Sequence, residues 1–145
     1  MRRRDEPDLV VEQGVEAIER EAGGFYIDLN ANVIDAENPP SAGDVVDWNN
    51  TPADSLRLTL GQHVTPALDL SWEVVAVDEA ETNGNTVDGY TTHNLRATYR
   101  PQSGVLSGTQ FRAGIENVGD IEYTPMLATR AAPGRNFKLS VSRLF

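Results

Sequence analysis

The chain has 145 residues, no cysteine and a formal net charge of -10 at pH 7. The lack of cysteine excludes disulfides and thiolate metal sites, and the negative charge argues against nucleic acid or an anionic membrane surface as the main partner. Apolar residues make up 39% of the chain, and no stretch approaches the roughly 18 apolar residues that a membrane-spanning helix needs. The basic start, residues 1–7, is followed by no apolar run, so we expect no secretory signal there.

Most of the chain alternates apolar and polar residues with a period of two, which is typical of half-buried β-strands. The alternation predicts an all-β, antiparallel fold with seven strands and no helix. In chain order the predicted strands cover residues 9–20, 25–33, 56–60, 68–76, 95–99, 111–116 and 137–145.

The connections between these strands alternate in length. The short ones are residues 21–24, 65–66 and 102–108. The long ones, rich in Gly, Pro, Asn and Asp, are residues 36–53, 78–89 and 121–135. Outer-membrane barrels have short periplasmic turns and long extracellular loops. The alternation therefore predicts a transmembrane β-barrel whose three long loops are extracellular.

The two faces of the predicted strands differ in chemistry. Aromatic residues on the apolar parity, at strand ends near the short turns, predict a girdle at the periplasmic interface: Phe25, Tyr99, Phe111 and Phe145. The opposite parity is polar and charged: Asp28, Asn30, Arg57, Asp69, Glu73, Arg96, Arg112, Glu116 and Lys138. A water-filled or plugged lumen tolerates these charges. A soluble lipocalin-like ligand-binding barrel, and an outer-membrane barrel with an adhesin or enzyme role, are the alternatives.

Local motifs resemble, in the family's order, the C-terminal end of TonB-dependent outer-membrane receptors. They are Gly14-Val15-Glu16, Asn50-Thr51-Pro52-Ala53, Glu116-Asn117-Val118-Gly119-Asp120 leading to Tyr123-Thr124-Pro125, and the run from Gly134 to Phe145. The last fifteen residues, 131–145, are most similar to receptors for haem or haem proteins, and siderophore receptors end similarly.

The resemblance implies a location in the bacterial outer membrane and a barrel of about 22 strands, with a lumen plugged by an N-terminal domain. It implies uptake of an extracellular iron complex, driven by an inner-membrane energy-coupling protein that acts on the plug. Compared with that architecture, we expect the chain to be without the signal peptide, the plug and most of the strands, and an odd strand count does not suit a bacterial barrel. We therefore expect residues 1–145 to be the C-terminal portion of the barrel domain. Its last strand is the expected signal for the barrel-assembly machinery, through Phe137, Leu139, Val141 and Phe145.

Residues that could perform chemistry are few. We recognise no catalytic set and expect neither enzymatic activity nor a cofactor. His63 and His93 are expected to be structural, and the acidic cluster Asp78, Glu79 and Glu81 to be a solvated loop rather than a calcium site. Arg130 and Arg135, in the last long loop, are candidates for attracting an anionic ligand group; ordinary surface charges are the alternative.

Overall fold

The computed structural model describes residues 11–22, 24–36, 52–82, 85–126 and 128–143. Within these ranges the protein is all-β and contains no helix, so none is present that is long and apolar enough to cross a membrane. The strands are β1 Val11–Ala22, β2 Phe25–Ala36, β3 Ser55–Thr65, β4 Leu68–Val77, β5 Ala80–Thr82, β6 Asn85–Val87, β7 Tyr90–Tyr99, β8 Thr109–Glu116 and β9 Asn136–Arg143.

Seven of the strands form one antiparallel sheet in the order β1-β2-β3-β4-β7-β8-β9. The prediction of an all-β, antiparallel fold is confirmed, and the seven predicted strands correspond to this sheet. The predicted count omits β5 and β6, which pair with each other in a separate two-stranded sheet between β4 and β7. The first strand also lies later than predicted, because it begins at Val11 and ends at Ala22.

The connections differ in length between the two edges of the sheet. At one edge, which we call the short-turn edge, β3 and β4 are joined by residues 66–67 and β7 and β8 by residues 100–108. The Thr65 hydroxyl accepts hydrogen bonds from Ala67 N at 3.2 Å and Leu68 N at 3.0 Å, which closes the tighter turn. Because successive strands are antiparallel, the longer connections after β2, β4 and β8 all leave the opposite, long-loop edge.

The strand register brings the apolar residues of neighbouring strands side by side. One unbroken row of cross-strand partners spans β2, β3, β4, β7, β8 and β9: Ile27, Leu60, Trp72, Leu95, Ile115 and Phe137. We call the face that carries this row the apolar face. The next row belongs to the opposite, polar face and joins Asp28, Thr59, Glu73 and Asn94. Since a slip of one residue would exchange the faces, the two rows fix the register together.

Burial in this sheet is the reverse of that in a water-soluble domain. Among the described residues no hydrophobic side chain is buried, and the buried polar or charged ones are Glu73, Thr92, Asn94, Thr109 and Asn117. On the apolar face, Phe137 is 72% exposed and Leu139 80% exposed. Four of these five residues, all but Thr109 at the start of β8, lie on or beside the polar face.

Candidate functional site

A buried carboxylate lies at the centre of the polar face. Glu73 on β4 accepts hydrogen bonds from Asn94 Nδ2 at 2.8 Å and from both terminal nitrogens of Arg96, at 2.9 and 3.3 Å. Arg57 on β3 adds a longer ion pair, with Nε 3.9 Å from Oε2. A buried charge is costly unless it is paired and hydrogen-bonded, and Glu73 is both. The sequence predicted these residues for one face, and the register places them on three adjacent strands.

Asn117 anchors the last long connection, residues 117–135, to this network. Its side chain closes a small ring with Ile121: Nδ2 donates to Ile121 O at 2.8 Å, and Oδ1 accepts from Ile121 N at 3.0 Å. Its backbone N–H donates to Asn94 Oδ1 at 3.0 Å. Asn117 has a φ of 49°, a left-handed conformation that asparagine tolerates better than most residues. The fold therefore depends on asparagine here for both its backbone and its amide.

The same connection is closed at its far end by Asp120 and Arg135. Asp120 Oδ1 accepts a hydrogen bond from Arg135 N at 2.7 Å, and Arg135 Nε donates to Val118 O at 2.9 Å. A Cβ at Gly134 would lie 2.6 Å from Asp120 Oδ1, so a side chain here would displace the Asp120 carboxylate from this contact. The Arg135 side chain is thus part of the loop's structure, and its expected role with a ligand stays a prediction.

Two tyrosines pack this loop against the sheet. Tyr123 in the loop stacks on Tyr90 at the start of β7, with ring centroids 4.0 Å apart. Together with Arg57, Glu73 and Asn117 they line a polar cavity of about 330 Å³ at the long-loop edge. Sequence reasoning did not single out Tyr90 or assign Tyr123 a contact. Arg130 lies in an exposed bend of the same connection.

At the short-turn edge of the polar face, Tyr26 covers a glycine on the neighbouring strand. Tyr26 and Gly61 are direct cross-strand partners, and a Cβ at Gly61 would lie 1.9 Å from the tyrosine ring. The Tyr26 hydroxyl donates to Asp69 Oδ1 at 3.3 Å. His63 Nδ1 lies 3.0 Å from Asp69 Oδ2, although Oδ2 has no partner in hydrogen-bond geometry. The His63 ring packs beside Tyr26 of the neighbouring strand, with ring centroids 5.3 Å apart, and its expected structural role stays a prediction.

The aromatic residues predicted for a girdle lie at the short-turn edge of the apolar face. Phe25 opens β2 and is 57% exposed, while Tyr99 ends β7 and is 47% exposed. Phe111 is the cross-strand partner of Tyr99, with ring centroids 6.3 Å apart. Phe145 lies outside the described residues.

The apolar face also includes β9 and the second histidine. Phe137, Leu139 and Val141 follow one another along β9 on this face, and all three are exposed. His93 stacks on Trp72 with ring centroids 5.7 Å apart, so its predicted position on the apolar parity agrees with the structure. Both histidines therefore pack against neighbouring strands.

Neither a metal site nor a relative points to a function. Within the described ranges no three His, Asp or Glu side chains are grouped so as to hold a metal ion. Asp78 and Glu79 are exposed beside β5, and the side chain of Glu81 is not described. No protein-family model matches the chain, and no curated protein matches it in sequence. Function is therefore argued from the two faces of the sheet and their loops.

Proposed function

We propose that the chain forms part of the wall of a bacterial outer-membrane β-barrel, with its apolar face against lipid and its polar face toward the lumen. The observation that carries this proposal is the inverted burial: polar side chains such as Glu73 and Asn94 are enclosed, and Phe137 and Leu139 are exposed. Strands of spanning barrels direct apolar residues outward and polar residues inward. Backbone groups that pair between neighbouring strands, as they do in the interior of this sheet, also suit a bilayer, which offers no water to hydrogen-bond with.

The dimensions of the apolar face support the same assignment. On β4 its residues run from Leu68 to Ala76, with Leu70, Trp72 and Val74 between them. At about 3.4 Å per residue this distance is about 27 Å along the strand, and a strand tilt of about 40° reduces it to about 21 Å in height. The apolar band of outer-membrane barrels is about 25 Å tall.

The two edges of the sheet fit the two sides of such a membrane. The short-turn edge, with Phe25 and Tyr99 exposed beside it, suits the periplasmic interface, and the long-loop edge suits the cell exterior. The lipocalin-like alternative requires the apolar face to enclose a ligand, but this face is the more exposed one. An outer-membrane barrel with an adhesin or enzyme role would have the same kind of wall. Only an experiment with a ligand can therefore distinguish it from a receptor.

Within this class we propose a TonB-dependent receptor that takes up haem or a ferric siderophore. This part rests on the motif resemblance, and the partners it entails are a plug domain, an energy-coupling protein and the barrel-assembly machinery. Asn117, Asp120, Gly134 and Arg135, all in the matching motifs, close the last loop on the barrel wall. These motifs therefore support the proposed barrel architecture rather than a particular ligand. The proposal that the ligand is an iron complex rests on the similarity of residues 131–145 to haem and siderophore receptors.

Two experiments test the two levels of the proposal. In the bacterium that carries the gene, the product should fractionate with the outer membrane and migrate faster in gel electrophoresis unheated than heated. Recovery of the protein in the aqueous phase without detergent would reject its assignment to the wall of a membrane barrel.

The second experiment tests the receptor function. Deleting the gene should impair growth on haem or a ferric siderophore as the only iron source, and complementation should restore growth. Normal growth of the deletion strain on every iron complex tried would reject the receptor function but would not contradict the assignment to a barrel wall.

The role of the loop arginines can be tested in the same strain. Arg130→Ala is the cleaner variant, because Arg130 is exposed whereas Arg135 holds the loop through Val118 and Asp120. If Arg130 attracts an anionic ligand, uptake at low salt should fall in the variant, and the difference should shrink as salt screens the charge. Unchanged uptake at low salt would remove Arg130 from ligand capture.

A further inference from the structure

Arg112 on β8 differs from the other cations of the polar face. Arg57 and Arg96 face Glu73, Lys138 lies 2.7 Å from Glu116, and Arg100 donates to Gln110 at 3.2 Å. Arg112 is exposed and has no such partner among the described residues. Its cross-strand neighbours are Thr98 and Ser140, two hydroxyl residues that can donate hydrogen bonds.

A glycine next to Arg112 on the polar face opens a gap between three cations. Gly114 is paired with Arg96 on one side and Lys138 on the other, and Arg112 precedes it by two residues on the same face. Strand spacing places Arg96 and Lys138 about 10 Å apart at the backbone, and Arg112 is diagonal to both at about 7–8 Å. These residues line part of a groove of about 530 Å³. The rest of its lining is contributed by Thr98, Glu116 and Ser140 and, from the apolar parity, by Ala97, Ala113, Phe137 and Leu139.

The fold itself does not require glycine at this position. A Cβ on Gly114 would meet Leu95 O at 3.4 Å and the Arg96 Cγ at 3.8 Å, which are ordinary contacts. A side chain could therefore be accommodated by the backbone, but it would extend into the space between the cations. The gap is a feature of the polar face that packing alone does not explain.

The cations around the gap outnumber the carboxylates that pair with them. Glu73 is shared by Arg57 and Arg96, and Glu116 pairs with Lys138, so neither carboxylate is left for Arg112. An oxyanion bound beside Arg112 would offset this excess of positive charge. Guanidinium groups bind carboxylate and phosphate with two parallel hydrogen bonds, and an ammonium group supplies a further donor.

We propose that the groove around Gly114 binds one oxyanion, the carboxylate or phosphate group of a small anionic ligand, with Arg112 as its principal contact. Thr98 and Ser140 provide hydroxyl donors beside Arg112, and Lys138 and Arg96 approach from the two neighbouring strands. In the proposed barrel this groove would face the lumen. Only β7, β8 and β9 take part, so the site does not depend on the membrane assignment.

The test is anion binding by the full chain folded in a non-ionic detergent, with strand content checked by circular dichroism. Inorganic phosphate and citrate are titrated separately by calorimetry at about 0.1 M salt, where the Debye length is about 10 Å. Arg112→Gln should weaken binding at least about tenfold, the effect expected for losing a hydrogen bond to a charged group. Arg112→Gln should not unfold the sheet, because no described residue depends on Arg112 for an ion pair. The stronger of the two probes would assign the site to carboxylate or to phosphate.

The matched control is Arg57→Gln, which removes the same charge from the same face on β3, three strand spacings or about 14 Å from β8. It should leave the affinity within about twofold, because at moderate salt a distant surface charge is largely screened. Gly114→Val, which fills the gap without changing charge, should also lose binding. Equal losses in the two arginine variants, or no binding of either anion by the parent chain, would overturn the site. Outer-membrane insertion of the Arg112→Gln protein would still be normal in that case, so the proposed function would stand.

Discussion

Replacing Leu139 with lysine tests whether the apolar face lies in lipid. Leu139 is 80% exposed near the middle of β9, so the substitution removes little packing within the chain and its effect depends on the surroundings. A lysine on the lipid face of a barrel costs about 2–4 kcal/mol near the bilayer midplane, which is about a 30- to 900-fold change in the folding equilibrium. On a surface that faces water the same change would stay within about 0.5 kcal/mol.

Ser140→Lys is the matched control, because Ser140 is the next residue on β9, is also exposed and faces the opposite side. Both substitutions would be made in the barrel that contains this sheet, which would be refolded into phospholipid vesicles at one protein concentration and titrated with urea, with strand content followed by circular dichroism. We expect a loss of about 2–4 kcal/mol for Leu139→Lys and less than about 1 kcal/mol for Ser140→Lys. Equal effects of the two lysines would contradict the assignment of the faces.

Three further outcomes follow from the loops and the last strand. The long connections are residues 36–53, 78–89 and 121–135. In intact cells, single cysteines placed in them should react with an impermeant thiol reagent, whereas cysteines at Thr65 or Ser103 should not. Removing Phe145, which lies outside the described residues, should reduce the heat-modifiable folded form, and normal assembly would show that this residue is not the signal. Asn117→Ala should cost about 1–3 kcal/mol through lost hydrogen bonds and should expose the last loop to protease, unlike the exposed control Glu122→Ala.

The sequence alone predicts the two faces of the sheet because the side-chain period of a strand does not depend on the rest of the fold. Leu60, Trp72 and Leu95 were expected on one face, and they are direct cross-strand partners. The alternation is weakest in β1, where the register pairs Arg20 with Ile27 rather than with another charged residue. The bounds predicted for that strand were two residues too early, while β3 ends five residues later and β7 begins five residues earlier than predicted.

The structures within the connections were not predicted, because they depend on contacts between residues distant in sequence. The backbone N–H of Asn117 donates a hydrogen bond to Asn94 Oδ1, 23 positions earlier in the sequence, and Tyr123 stacks on Tyr90. Composition predicts a long loop at residues 121–135 but not the face on which it packs. A local signal did exist for the β5–β6 hairpin: Asn83-Gly84 is the dipeptide most typical of a two-residue turn between strands.

The gap at Gly114 could not be recognised from the sequence for the same reason. Arg96 and Lys138 are far apart along the chain, and only the register of three strands places them on either side of the glycine. The spacing of Arg112 and Gly114 on β8 suggests nothing by itself. The ion pairs of Arg96 and Lys138 with carboxylates also form only in the assembled sheet. The sequence alone therefore does not indicate that Arg112 is the exception.

The chain by itself should not form a soluble monomer, because among the described strands β1 and β9 each pair on one side only. Every second residue of an edge strand directs its N–H and C=O groups away from the sheet, so the eight residues of β9 present about four of each. In a bilayer each unpaired group costs several kcal/mol, and in water such an edge pairs with other chains.

The exposed apolar face favours association as well, since a contiguous patch that includes Leu70, Trp72, Phe137 and Leu139 is covered by nothing in the described structure. Expressed alone, the chain should accumulate in inclusion bodies or as oligomers that require detergent, as measured by sedimentation with and without detergent. Leu139→Lys should reduce association through the apolar face but not association through the edge strands β1 and β9, so oligomers should persist. A monodisperse monomer in plain buffer that unfolds cooperatively would show that this sheet needs neither lipid nor neighbouring strands, and the barrel-wall proposal would then be wrong.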